Sequence, residues 1–204
     1  MPRSGRPPSD VAFSDSVKAA QARLGSRKAY ARLETGDGWE TTISPDLAAF
    51  IGDQISFFMA TASALGQPYI QHRGGPKGFL RVLDEKTLAF ADFRGNRQYI
   101  SLGNLAENDK VCLFFIDYAH KQRVKVWGTA RVVEDDPALV AKLAVPGYEG
   151  RPERAIVIDV STWDANCPQH IPRRFEAADV EEALASRDRR IAELEAQLAR
   201  ATRA

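Results

Sequence analysis

Between residues 55 and 163 the chain repeats one texture: short runs of β-branched and aromatic residues, each closed by turn residues. ISFFMATAS (55–63) ends at LGQP (65–68). YIQHR (69–73) and GFLRVLD (78–84) flank a Gly-Gly-Pro break at 74–76, and Glu85-Lys86 leads into TLAFADF (87–93). KVCLFFIDY (110–118), RVKVWGTARVVE (123–134) and AIVIDVSTW (155–163) follow. About six strands at this spacing predict an antiparallel barrel or sandwich, because parallel βαβ units need a long crossover between every pair of strands. Along 123–134, Val124, Val126, Gly128 and Ala130 fall on one side and Lys125, Trp127 and Thr129 on the other, as a half-buried strand requires.

Helical patterns surround and interrupt these strands. SDSVKAAQARL (14–24) spaces Val17, Ala20 and Leu24 for one face. SPDLAAFI (44–51) opens with Ser44 as a cap, Pro45 where its missing N–H is harmless, and Asp46 at the positive end of the dipole. A helix is expected at 97–106, between the fourth and fifth strands, and another at 136–144 with Asp136 capping and Pro137 first. Residues 176–204 read as a single helix, with Asp179 and Glu182 resembling a capping box. Its Leu184, Ile191 and Leu198 recur every seven residues with Leu194 between the last two, a short heptad seam for a partner helix or for packing on its own domain. The expected organisation is a disordered Pro- and Arg-rich terminus (1–10), a helical segment (11–52), a barrel (53–175) and the heptad helix (176–204).

Charge excludes some partners. The 28 Lys and Arg balance 27 Asp and Glu, for a net charge of +1, so no global field gathers nucleic acid or anionic lipid. No run of about 18 apolar residues is present for a membrane span. The first ten residues lack the apolar stretch of a secretory signal, and a cytoplasmic location is expected. Two cysteines make no disulfide framework, and Cys112 reads as a small buried hydrophobe.

Three stretches carry polar residues in patterns that suggest a site. In DFRGNRQYISLGNL (92–105), Gly95 permits a close backbone approach, Asn96 offers donors, Arg94 and Arg97 offer forked cations, and a helix start follows; together they suit an anion. The same residues also suit an ordinary turn with solvated arginines. In QHRGGPKGF (71–79) the glycines and Pro76 break a strand between Arg73 and Lys77, giving either a backbone surface for a flat ring or a plain loop. In TWDANCPQHIPRRF (162–175), Trp163, Asn166, Gln169 and His170 gather with two prolines. Cys167 and His170 alone are too few for a structural metal, and no metal site is expected. No nucleophilic-triad, Walker, HExxH or GxGxxG motif occurs, and no catalytic acid or base stands out.

Taken together, HRGGPKGF, TLAFADFRGNRQYISLGNL and NCPQHIP, in this order among the strands, resemble the pyridoxamine 5′-phosphate oxidase-like flavoproteins of the FMN-binding split β-barrel superfamily. The resemblance spans residues 50 to 175. It implies a mainly β fold with helices, an antiparallel split β-barrel followed by a C-terminal helix. It also implies a homodimer with FMN in clefts between the barrels. The flavin phosphate and ribityl chain would lie on Asp92, Arg94, Asn96, Arg97 and Gln98, with Gln98 where the family usually has lysine. His72, Arg73, Gly74, Gly75, Pro76, Lys77 and Gly78 would line the isoalloxazine ring. Lys125 and Trp127 would approach from across the cleft, and the segment from Trp163 through Asn166 and Gln169 to His170 would close it. NCPQHIPRRF departs from the Arg- and His-containing motif with which true pyridoxamine phosphate oxidases hold their substrate, so the vitamin B6 reaction is not expected.

The expected function is FMN-dependent redox chemistry on an unidentified small molecule, with no nucleic acid and no membrane involved. Two alternatives use the same barrel: a flavin- or haem-holding sensor without turnover, and a deazaflavin-dependent reductase.

Overall fold

The computed structural model describes residues 5–34, 38–166 and 168–202, with the side chain of Asn166 left out. After a 3-10 turn at Pro8–Val11, within the stretch expected to be disordered, come α1 (Asp15–Arg23), α2 (Arg27–Tyr30), a 3-10 turn at Ala31–Glu34 and α3 (Pro45–Asp53). The strands are β1 (Ser56–Ala62), β2 (Pro68–Gly74), β3 (Leu80–Val82), β4 (Thr87–Phe93), β5 (Lys110–Asp117), β6 (Gln122–Val133) and β7 (Pro152–Asn166). Helix α4 (Ile100–Glu107) separates β4 from β5, α5 (Pro137–Leu143) separates β6 from β7, and α6 (Ala177–Ala201) ends the described chain. The described residues within 5–116 and 123–166 form one compact unit; those within 117–122 and 168–202 form a second.

All seven strands make one antiparallel sheet in the order β2-β1-β5-β6-β7-β4-β3, curled as the expected split β-barrel. Alternation buries Val124, Val126, Gly128 and Ala130 along β6, as their spacing predicts. The main core is aromatic: Phe57 stacks on Phe79 at 5.7 Å and meets Phe90 and Phe115, each at 5.4 Å between centroids. Truncating such a ring to alanine costs about 3–5 kcal/mol.

Strand β4 is buried on both faces. Leu88 and Phe90 enter the main core, while Ala89 and Ala91 pack with Leu143, Ala155 and Val157 in a second cluster that includes α5. Small side chains on that second face bring α5 close to the sheet.

Aromatic contacts hold the N-terminal segment on the same unit. Trp39 stacks on Trp127 with centroids 4.8 Å apart and planes 13° apart, and Phe13 meets both Trp39 and Tyr30. Lys18 bridges Asp10 and Glu34, and Arg27 takes the other Glu34 oxygen. The Arg27 hydrogen bond, opposed by desolvation and helped by Lys18, holds the Glu34 carboxyl below its ordinary range.

Caps form at Ser44, which accepts from the Leu47 N–H, and at Asp136, which accepts from the Leu139 N–H. Helix α6 starts differently from its expected capping box. Its N-cap is Glu176 with no side-chain bond, and Asp179 lies in the first turn, where its charge favours the dipole. Burial pushes the Cys112 thiol up despite nearby Lys125, which leaves it an unreactive filler.

Candidate functional site

Strand β4 ends at Phe93, and the chain turns before α4 begins at Ile100. The sequence predicts helix from residue 97. Instead Arg97 (φ 62°) and Tyr99 (φ 55°) both occupy left-handed backbone, and Tyr99 is the N-cap with no side-chain cap bond. Two non-glycine residues in that region within three positions carry roughly 1–2 kcal/mol of strain each. Surrounding bonds hold them there. The Arg94 N–H donates to the Arg151 carbonyl at 2.8 Å, and the Gln98 N–H donates to Asn96 Oδ1 at 3.2 Å.

Helix α4 is pinned to the sheet by two polar side chains. Ser101 Oγ donates to Gln71 Oε1 of β2 at 2.7 Å, and Asn104 Nδ2 donates to Thr61 Oγ1 of β1 at 2.9 Å. Ser101, Asn104 and Thr61 are all buried. These bonds fix where the first turn of α4 points. Its first intrahelical bond runs from the Gly103 N–H to the Tyr99 carbonyl, so the N–H groups of Ile100, Ser101 and Leu102 precede the helical ladder.

Those three residues line an open cleft together with Gly95–Tyr99, Tyr69, Gln71, Arg73, Asp92, Phe93 and Glu153. Alternation along β2 puts Tyr69, Gln71 and Arg73 on this side. Arg73 pairs with Asp92 at 2.5 Å, both side chains nearly buried. Directly opposite Asp92 in the β4–β7 register stands Arg154, 3.9 Å from its second oxygen. The register then shifts, so that Phe93 faces Pro152 and Glu153 is left over to reach the cleft. Arg97 Nε donates to the Tyr99 hydroxyl at 3.1 Å, which holds the guanidinium firmly protonated, and its Nη groups have no partner among the described residues. Arg154 lies over the Tyr99 ring at 5.4 Å. Arg94 is half exposed beside Glu153.

The site thus brings together Arg73, Asp92, Gly95, Asn96, Arg97 and Gln98 from two stretches separated by about twenty residues of chain. Tyr69, Gln71, Tyr99, Ser101 and Glu153 join them unannounced. The remaining expected residues are placed elsewhere. His72 faces the opposite side of β2, its ring 5.6 Å from that of Phe58. Gly75 makes room for Phe79, whose ring a Cβ would overlap, and Gly78 takes φ +80°. Gly74, Pro76 and Lys77 are not among the cleft residues, and Lys77 stands exposed 3.5 Å from Asp53. Trp127 is covered by Trp39. Trp163 donates through Nε1 to the Thr42 carbonyl at 2.7 Å and packs on the core. Lys125 is on β6 outside the cleft lining, and Gln169 is exposed in the second unit. The Asn166 side chain and Cys167 lie outside the described residues. Among the described residues no group of three or more His, Cys, Asp or Glu could hold a metal, and no helix is long and apolar enough to cross a membrane.

No curated protein sequence is significantly similar to the chain. Solved structures similar to it include HupZ of Group A Streptococcus, 25% identical over 65% of this chain and 99% of that one, with a TM-score of 0.49. An FMN-binding protein of Syntrophomonas wolfei is 12% identical over 75% and 96%, with a TM-score of 0.46. A protein related to general stress protein 26, of the pyridoxinephosphate oxidase family, from Clostridium acetobutylicum is 17% identical over 62% and 89%, with a TM-score of 0.41. The family model for pyridoxamine 5′-phosphate oxidase matches residues 43–167, a span that contains every strand and the whole cleft. The chain belongs to the pyridoxamine 5′-phosphate oxidase family.

Proposed function

We propose that this chain binds FMN with the cofactor phosphate in the cleft at the start of α4, and that it uses the flavin to oxidise or reduce a small molecule. Family membership supports the flavin. The observation that carries the phosphate is the strained turn from Arg94 to Tyr99, which turns a row of donors into one cleft. The unpartnered Nη groups of Arg97, the Asn96 amide and the N–H groups of Ile100, Ser101 and Leu102 suit a phosphate monoester. That donor set fits the group. Gln98, which stands where a lysine is usual, supplies a neutral donor in place of a charge.

Asp92 is met by Arg73 and Arg154 and Glu153 by Arg94 and Arg154, so with Arg97 the site keeps a surplus of positive charge that suits a phosphate. When bound, FMN supplies the hydride or electron transfer, and the chain anchors its phosphate end and excludes water around it. The proposed assembly is a homodimer with FMN between the barrels and a small-molecule substrate or electron donor reaching the ring.

The test is the visible spectrum of the protein as purified, followed by denaturation and identification of what is released. Two flavin bands with released FMN support the reading. A colourless protein that ignores added FMN overturns it. Bound flavin that no nicotinamide cofactor reduces and no acceptor reoxidises leaves a flavin-holding sensor in place of an oxidoreductase.

A further inference from the structure

Helix α6 exposes every large apolar side chain it carries. Val180, Leu184, Ile191, Leu194 and Leu198 are between 44% and 69% exposed, and no residue of the helix is buried. Its 25 residues extend for about 37 Å. A helix with an open apolar stripe gains most of its stability from whatever covers that stripe. The spacing assigns Leu184, Ile191 and Leu198 to position a of a heptad and Val180, Arg187 and Leu194 to position d.

We propose that α6 pairs with α6 of a second copy of this chain as a parallel, in-register, two-stranded coiled coil. The flanking charges choose the occupant and its direction. Every e position is acidic: Glu181, Asp188 and Glu195. The g positions are Ala183, Arg190 and Gln197. An antiparallel pair sets e against e, which stacks acid on acid at three levels. A parallel pair sets each g against the e five residues further along the other helix, so Arg190 meets the partner's Glu195 twice by symmetry. The one like-charged match of that kind, Glu176 with the partner's Glu181, lies at the N-cap, outside the regular helix.

Arg187 points to the same arrangement. A d side chain in a parallel pair enters a hole whose rim includes the neighbouring e residue, here the partner's Asp188. In a two-stranded coil the arginine stem packs while its head reaches that carboxylate and water; three strands would bury the charge. Within its own helix Arg190 pairs with Glu193 at 2.9 Å, both largely exposed, an interaction too weak to compete. The pairing does not depend on what the cleft binds.

The test uses the full chain carrying Leu194→Cys, under mild oxidation, with linked peptides identified by mass. A parallel in-register coil forms the 194–194 disulfide. A mixture of Leu184→Cys and Leu194→Cys chains then gives each self-linked product rather than a 184–194 link. Nearness imposed by a barrel dimer alone is separated by charge. Arg190→Glu slows cross-linking by about fivefold through repulsion of the partner's Glu195, and Arg190→Glu with Glu195→Arg in one chain restores it. These residues are exposed and their replacement leaves the fold intact. Absence of the 194–194 link, dominance of the 184–194 link, or cross-linking indifferent to the charge reversal each overturns the proposal.

Discussion

Arg97 and Tyr99 hold a backbone conformation that neither side chain favours, and both belong to the turn that forms the cleft. Strain of this kind persists where surrounding contacts over-determine it, and it marks a position selected for what it presents. With its Nη groups free to meet a phosphate, Arg97→Ala is expected to weaken FMN binding by roughly 10- to 100-fold, as loss of hydrogen bonds to a charged group predicts. Fluorescence titration of apoprotein with FMN measures it, and an unchanged Kd would remove Arg97 from the site. Asp92 makes the opposite kind of contribution. It sits between Arg73 and Arg154 with almost no exposure, so Asp92→Asn leaves nearly buried Arg73 without its carboxylate, while Arg154 keeps Glu134 and Glu153. Urea unfolding is expected to show a loss of about 3 kcal/mol, while affinity for inorganic phosphate rises because a negative charge leaves the cleft. Gly128 is needed for a third reason. The β6–β7 register shifts between Trp127 and Gly128, and a Cβ there would overlap the Asp159 carbonyl oxygen.

Among the elements, α4 carries the site and is set by its bonds to β1 and β2. Asn104→Ala leaves Thr61 buried without its partner, which costs about 1–3 kcal/mol, and lets the helix start shift. Weaker FMN binding with all cleft side chains present is the expected result in the same titration. Much of this element was legible in advance. The dipeptide texture of 87–93 and the turn at 94–97 announced a strand, a bend and a basic anion-suited loop, and alternation through Tyr69, Gln71 and Arg73 carries the signal that those three share a face. Glu153 and Arg154 were not legible, because only the β4–β7 register and its shift at Asp92 bring them to the cleft, and register between strands sixty residues apart leaves no local mark. Trp127 and Trp163 lie outside the cleft lining, which their sequence could not tell for a related reason. An aromatic on a strand face fits a ligand or a covering segment equally well, and here Trp39 and the Thr42 carbonyl occupy them. The segment that leads to Trp39 carries a group whose titration is expected to reach that cover. Glu34 has a lowered pKa through Arg27 foremost, so its stabilising contribution is complete above the ordinary carboxylate range and is lost as pH falls through the depressed value. Acid titration followed by tryptophan fluorescence is expected to show loosening of the Trp39–Trp127 stack at low pH, and Glu34→Gln is expected to show it already at neutral pH with that step of the titration lost.

At the level of the whole molecule, the two hydrophobic clusters draw all their residues from positions 43–163, and α6 adds none. The family match and the cleft lie in the same span. The proposed binding of FMN and the folding of the barrel are therefore expected to be separable from whatever α6 does, and a chain ending after Phe175 is expected to keep both. Its expected mass in solution is that of a dimer, because the proposed flavin site lies between two barrels and needs no help from the helix. What the truncation removes is the second attachment. Two contacts joining the same two chains act at an effective concentration set by the connection between them, so the full chain should resist dilution further than the truncated one. Sedimentation of both forms across a dilution series measures the difference. A truncated chain that binds FMN as a monomer would place the whole flavin site within one barrel and make α6 the sole source of pairing. A truncated chain that is dimeric but no more easily dissociated than the full one would show that α6 adds nothing to self-association.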